Sequence, residues 1–594
     1  MQVDQKRITL RKNTDLKTFD YHRFLVLILT ITSLWTGIFA DFRCVSYQDL
    51  LTTGDRFNDT GVSAFSKIVF DVPRNQVIVG ANNTLYRLSL NGLAQLEKAS
   101  WPATNSAVDM CQVKGQGEAR CHNFVKVLVA SGDRIFSCGT NAFKPQCSWR
   151  AIENVSNVLE WVRGVGHCPY SPEANVTALL TRSGQYFVGS STDFSGTDSA
   201  IIRSDTGKTK SMTRTQQYDS KWLNEPQFVG SFETSDYVYF LFREVAVEYI
   251  NCGKIVYSRI ARICKNDNGG KVFLRDNWTT FLKARLNCSI PGNYPFYFNE
   301  IQGMTYLESE EMVYATFTTP SNSIPGSAIC SFNMSSIAAA FSGPFKYQKS
   351  HDSAWETFVK RNKSHFECKP DPADNYYQVL DSSRYQLMND AVQPATLHPL
   401  YKGLLETLTH IAVDVLPTKQ HKAVHVLYVA TTDGLVKKIS VLPTTQETCV
   451  VEVWKPYPGN NPVPIKALHY LEETKSVYIG TEKSVMRIPV HRCGTLHNQM
   501  ACENATDPYC GWNELEQQRT TVPNNDSLSG YSKQNLTHCP VLTKPDGPSI
   551  ISTLHVIMLC VVSFIVGLVL MGNSCYVYIH CQRLRDQAVH AEFL

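Results

Sequence analysis

Seven times between residues 77 and 490 the chain repeats one pattern: a run of alternating β-branched and aromatic residues, a Gly-, Asn- or Asp-containing turn, and a second such run. The segments are VIVGANNTLYRLSL (77–90), VLVASGDRIFSCGT (127–140), QYFVGSSTDFSGTDSAIIR (185–203), YVYFLFREVAVEYI (237–250), MVYATFTTPSNSIPGSAICSF (312–332), VLYVATTDGLVKKISV (426–441) and VYIGTEKSVMRIPV (477–490). Each reads as a β-hairpin. Blades of related type run about 40–45 residues, and the spacing here is about 60, so the pattern implies seven blades of a β-propeller with insertions. The widest gap, around FVKRNKSHFECKPDPADNYY, falls between the fifth and sixth segments. Two β-domains side by side would also supply the hairpins, but radial repetition leaves only short, protected strand edges.

Two apolar runs bracket this region. Phe24–Ala40, FLVLILTITSLWTGIFA, follows a basic segment and ends at a small residue, which is the pattern of a secretory signal peptide over residues 1–40, with an uncleaved signal anchor as the alternative. Leu554–Ile579 carries no charged residue and suffices for one membrane-spanning helix. Arg583 and Arg585 follow it, placing residues 580–594 in the cytoplasm and making the chain a single-pass type I membrane protein. Sequons at Asn58, Asn82, Asn154, Asn175, Asn277, Asn287, Asn333, Asn362, Asn504, Asn525 and Asn535 all lie between the two runs, as do 16 of the 19 cysteines. Both features favour an extracellular, oxidising environment. The net charge is +4, and residues 1–40 hold +3 of it, so no basic block remains to attract nucleic acid.

Residues 251–303, beginning NCGKIVYSRIARICKNDNGG, together with GTNAFKPQCSWR (139–150), GHCPYSPEAN (166–175) and KWLNEPQFVGSF (221–232), resemble semaphorin motifs and occur in family order. The resemblance extends over about residues 60–540. It implies an all-β fold: a seven-bladed sema propeller (residues 41–492), then a small disulfide-rich PSI module (493–540) with DPYCGWN (507–513) as its hallmark. A linker (541–553) and the transmembrane helix (554–579) follow. The NCGK form and a membrane span soon after the PSI unit resemble the invertebrate transmembrane class 1.

The family pattern implies disulfides Cys111–Cys121, Cys138–Cys147, Cys264–Cys368 and Cys288–Cys330; connectivity is not readable from spacing. PSI modules usually hold six or more cysteines. Here Cys493, Cys502, Cys510 and Cys539 remain, and the expected bridges are Cys493–Cys510 and Cys502–Cys539. Cys168 is expected buried and unpaired. Cys252 occupies a hairpin turn and is the candidate for an intersubunit disulfide; a bond to Cys44 or Cys449, or a free thiol, are the alternatives.

No Cys-x-x-Cys or His-Glu-x-x-His metal motif and no Gly-x-Ser-x-Gly elbow appears, so the reading is no enzyme, no cofactor and no metal. Gly207-Lys208-Thr209 lacks the first glycine of a phosphate loop, Ile202 standing in its place. Asp193 and Asp198 lack the carboxylate-dense loop that calcium requires. The resemblance instead implies a membrane-tethered ligand for a plexin receptor of A type, acting as a homodimer in repulsive axon guidance. The family's receptor face points to Asp193, Asp198, Tyr218, Asp219 and Lys221 on predicted loops. A sema/PSI-type receptor or adhesion protein is the competing reading; a tail of about 15 residues beyond the span leaves no room for a signalling domain.

Overall fold

The computed structural model describes residues 44–204, 212–271, 274–350, 352–360, 366–368, 380–418, 421–496, 498–514, 517–521, 532–539 and most of 561–583. Residues 42–540 form one compact unit. In the other unit the described residues include a helix, Ser563–His580, long and apolar enough to cross a membrane. The segment read as a signal peptide, the linker, and sequons Asn362 and Asn525 lie outside the described residues.

Seven antiparallel sheets follow one another along the chain, at residues 67–100, 125–163, 177–214, 227–285, 300–404, 408–454 and 465–489. They are the blades of a β-propeller. Within each blade the first strand lies innermost, and the second is buried on both faces. Gln76–Ala81, Tyr186–Ser191 and Ser476–Thr481 are buried at every position, as expected of strands covered by a neighbour on either side. Gly80 and Gly480 mark where adjacent blades nearly touch. A Cβ at Gly80 would lie 2.7 Å from Val125 of blade 2, and one at Gly480 2.2 Å from the Phe65 carbonyl.

The core is a ring of clusters between blades. Ile78 meets Ile135 across blades 1 and 2; Phe136 meets Val188 across 2 and 3; Phe187 meets Phe240 across 3 and 4. Leu241 meets Phe317, Ile329 meets Leu427, and Val426 meets Ile479 across the next three joints. Blade 7 packs back on blade 1 through Tyr478 and Val79. Its outermost strand is not local. Asp55–Phe57, from the N-terminal end, pairs antiparallel with Val485–Pro489, and Asp55 receives the Arg487 guanidinium at 2.6 Å. Just before it, Cys44–Val45 pairs in parallel with Thr448–Trp454, adding a fifth strand to blade 6.

The large insertion interrupts blade 5 between its third strand, Gly326–Asn333, and its fourth, Tyr401–Leu404. It holds the helix Met334–Ser342, begun by Asn333 whose side chain accepts from the Ser336 N–H, and the hairpin Phe345–Gln348/Trp355–Phe358. The fourth predicted hairpin differs from expectation: 237–250 is one strand, Tyr237–Val245, followed by the 3-10 helix Val247–Cys252 that turns into Val256–Cys264.

Disulfides join Cys111–Cys121, Cys138–Cys147, Cys264–Cys368, Cys288–Cys330 and Cys493–Cys510. Cys539 departs from expectation. It pairs with Cys449 on the outer strand of blade 6, not with Cys502. The reason is packing: Leu536 and Cys539 lie against Val424, Leu442 and Cys449 of that blade. The C-terminal module has the helix Gln499–Glu503 and three strands in the order Gln518–Thr521, Cys510–Asn513, Ser532–Lys533. The DPYCGWN stretch faces the propeller. Lys438 of blade 6 donates to Asp507 at 2.6 Å and to the Val490 carbonyl at 2.9 Å, while the Tyr509 hydroxyl donates to Asp414 and accepts from Tyr428 at 3.0 Å.

Candidate functional site

The predicted contact residues divide between two loops at one end of blade 3. The first, residues 192–198, joins Tyr186–Ser191 to Ser199–Ser204. Asp193 organises this loop from within, accepting from the Asp198 N–H at 3.0 Å, from Thr197 Oγ1 at 2.9 Å and from Ser195 Oγ. Partial burial pushes its carboxyl up, but those hydrogen bonds outweigh it and hold the group below the usual range. Asp198 is a correction. It is 4% exposed, and both its oxygens are taken by Arg214 at 2.9 and 2.8 Å, so it serves the loop's interior and not its surface.

The second loop, residues 215–226, starts one residue beyond Arg214, so the Asp198–Arg214 pair ties the two loops together. Trp222 anchors it, fully buried and stacked on Phe281 with centroids 5.2 Å apart. The Asp219 carboxylate accepts from the Lys221 N–H at 2.9 Å, and its carbonyl accepts from the Trp222 N–H at 3.0 Å. Closing so short a turn puts Tyr218 at φ 55° and leaves it 79% exposed. Of the five predicted residues, Tyr218 alone is a large apolar group presented to solvent, while Asp193 and Asp219 chiefly shape their loops. The same geometry brings in residues that the sequence reading missed. Phe194 packs 5.4 Å from Phe143, with Lys114 over its ring at 5.1 Å and Arg120 over Phe143 at 5.2 Å. Phe194, Phe143 and Arg120 edge a cavity of about 340 Å³ that Asn175 and Gln227 also line. The isolated aromatic in DFSGTD was the available signal.

The Cys252 turn adjoins the second loop. Lys254 pairs with Glu225 at 2.9 Å, and the Asn224 side chain donates to the Val245 carbonyl at 3.1 Å. Cys252 is exposed, next to exposed Tyr249 and Ile250. An aromatic band continues from it: Tyr249 lies 6.4 Å from Tyr257, and the Arg285 guanidinium sits over Tyr257 at 3.8 Å and Tyr297 at 4.9 Å. Tyr294 beyond is 96% exposed. Below the turn, buried Arg259 spans Glu244 at 2.9 Å and Glu248 at 2.7 Å, and buried Lys283 reaches Glu244 at 2.6 Å. Cys449 is engaged with Cys539, which removes it as a partner for Cys252. Cys168 is a buried thiol.

Among the described sequons, Asn58, Asn154, Asn175 and Asn504 are exposed. At Asn175, Asn277 and Asn287 the amide nitrogen that a glycan would occupy already donates, to Gln227, the Arg214 carbonyl and Gln393.

Residues 300–470 match the Sema domain family. Semaphorin 5c of Drosophila melanogaster is 49% identical over 510 residues, covering 85% of this chain and 46% of that protein. Semaphorin-1A of Schistocerca americana is 37% identical, covering 78% and 66%. The chain thus spans about half the length of the Semaphorin 5 relatives it matches, and of the two classes it shares more residues with Semaphorin 5c than with Semaphorin-1A. A chain of the solved complex of Drosophila Plexin A with Semaphorin 1b superposes with a TM-score of 0.73 at 33% identity, covering 82% of this chain and 97% of that one.

Proposed function

Because the chain belongs to the semaphorin family, we propose that it is a membrane-tethered recognition ligand whose propeller binds a plexin receptor, of A type, and delivers repulsive guidance cues to migrating axons and cells. The observation that carries this reading is the likeness, over most of the chain, to a semaphorin complex that contains Plexin A. In this reading residues 1–40 are a signal peptide, 41–492 the propeller, 493–540 a PSI module, 541–553 a linker, 554–579 the span and 580–594 a cytoplasmic tail. The receptor meets the end of blades 3 and 4 around Tyr218, where an exposed aromatic on a loop anchored by buried Trp222 is the kind of group that dominates interfaces. Plexin ectodomain is expected to bind the chain in biolayer interferometry. Tyr218→Ala should weaken binding at least about tenfold, as loss of a hot-spot aromatic does. Wild-type affinity in that variant would remove Tyr218 from the interface, and no plexin binding at all would remove the ligand reading.

The chain acts as a homodimer cross-linked at Cys252. The exposed thiol, its rigid base and the flanking Tyr249–Tyr257–Tyr297 band support this. Two propellers held together present two receptor sites, so the second contact becomes intramolecular. Mass photometry is expected to show a dimer that reductant and Cys252→Ser both dissociate; a dimer that survives both would rest on the aromatic band alone.

A further inference from the structure

The seven innermost strands surround a cavity of about 1140 Å³, lined from every side of the propeller axis. In five of these strands one residue steps out of the ladder near the strand's start: Lys126, Val229, Gln302, Thr409 and Lys466. Bulges of this kind re-aim a side chain, and all five residues line the cavity. Blade 1 keeps its ladder regular but begins its strand with Lys67 at the same wall. Three consecutive blades, the seventh, first and second, therefore each deliver a lysine to one side of the axis.

These charges are poorly compensated. Among the described residues the Lys67 ammonium has no hydrogen-bond or ion-pair partner, and burial pushes its pKa down; Lys126 donates to the Pro172 carbonyl at 2.7 Å but meets no carboxylate. Lys466 has Glu482 at 3.6 Å. The other carboxylates along the wall are taken: Glu173 by Arg120 at 2.6 Å, Glu472 by Lys475 at 3.4 Å and Asp414 by the Tyr509 hydroxyl. Two imidazoles complete the wall. Burial, with Lys67 adding to it, pushes His410 and His469 down to about 4, so both are neutral near pH 7. Ammonium groups facing one another across a shared cavity repel, and that repulsion falls when a multivalent anion sits between them.

We propose that the central channel is a binding site for a compact oxyanion, a phosphate or sulfate group, held between Lys67, Lys126 and Lys466. The three ammoniums are point charges on flexible stems, which suit a tetrahedral anion approached from several blades. The cavity accepts either a free ion or a sulfate borne on a sugar unit. Arg120 and Asn175 line both this cavity and the smaller one at the receptor end, but the three lysines come from blades 7, 1 and 2 and none is a receptor-contact candidate, so the site holds or fails independently of plexin binding.

The test is calorimetric titration and thermal unfolding of the full-length chain in detergent, with inorganic phosphate and with a sulfated disaccharide, each against sodium chloride at equal ionic strength. Saturable binding of inorganic phosphate identifies a free ion as sufficient; saturable binding of the disaccharide alone identifies a sugar-borne sulfate. In either case Lys67→Met or Lys126→Met should raise the Kd at least about tenfold. Lys98→Met, on the outer strand of blade 1, should not change it. Lys67→Met should also melt higher than the wild type in chloride alone, because it removes repulsion. Burial and then Lys67, with Lys466 adding, push Lys126 down to about 8, against Cys168 and Glu173, so binding should weaken as pH rises from 7 to 9. A non-saturating stabilisation shared by all variants is the general exclusion effect of such salts, and it would overturn the proposal, as would no binding of either probe.

Discussion

Replacing Glu244 with Ala is expected to cost about 3–5 kcal/mol, the usual consequence of removing one partner from a buried ion pair. Glu244 accepts from Arg259 at 2.9 Å, from Lys283 at 2.6 Å and from the Asn224 N–H at 3.1 Å, all in the interior of blade 4. Without it Lys283 keeps an ammonium where burial already lowers its pKa, and the neutral amine becomes the favoured form. Arg259 would still hold Glu248, so the Cys252 turn stays attached but loses its second support. Hydrogen exchange at residues 246–255 should therefore accelerate along with the fall in melting temperature. The pH dependence has a definite sign. Burial raises the Glu248 carboxyl, but Arg259 outweighs it and leaves the group below its ordinary 4.5. Its contribution is therefore present at neutral pH and is lost as acidification passes below that value. An unchanged melting temperature in Glu244→Ala would show that the network stabilises nothing.

Asp507→Ala should be comparably damaging, about 3–5 kcal/mol, for a different part of the molecule. Its partner Lys438 is wholly buried between blade 6 and the C-terminal module, with the Tyr509 ring 4.6 Å away. The single variant leaves that ammonium only the Val490 carbonyl. The double variant Lys438→Met/Asp507→Leu removes both charges and should recover most of the loss, since apolar pairs of similar volume replace buried ion pairs at little cost. Denaturant unfolding of the wild type, the single variant and the double variant provides the test. A double variant as unstable as the single one would place the stability of the joint in Tyr509, Asp414 and the disulfides. Cys449–Cys539 keeps the module tethered in all three, so the damage should register as proteolysis near residues 490–507 and not as loss of the module.

The blades were legible because their middle strands are covered on both sides, which demands the apolar, β-branched runs that the sequence displays. The insertion was legible as a break in that rhythm. Asp55–Phe57 was not, because three residues carry no periodicity and their partner is remote. The Cys539 pairing was missed because a small module was assumed to close its own bridges, whereas this one packs its last segment on blade 6 and is stapled there. At the candidate contact surface the loops were proposed from the family's receptor face, but their polar residues divide by burial, which a sequence does not display. Asp198 and Tyr218 look alike as loop residues; one is consumed by Arg214, and the other is thrust out by the turn that Trp222 anchors.

The pairing of Asp55 with Arg487 spans 432 positions of chain. At a synthesis rate of about 5–20 residues per second, roughly 20–90 seconds separate the emergence of the first residue from that of the second. Throughout that interval blade 1 has no neighbour on one side, and the strand destined to close the ring waits without its partner. The early blades can collapse one upon another as they appear, but the circle shuts only when almost the whole propeller is outside the ribosome. A truncation anywhere before residue 485 thus yields an open ring, whatever the integrity of the blades already made.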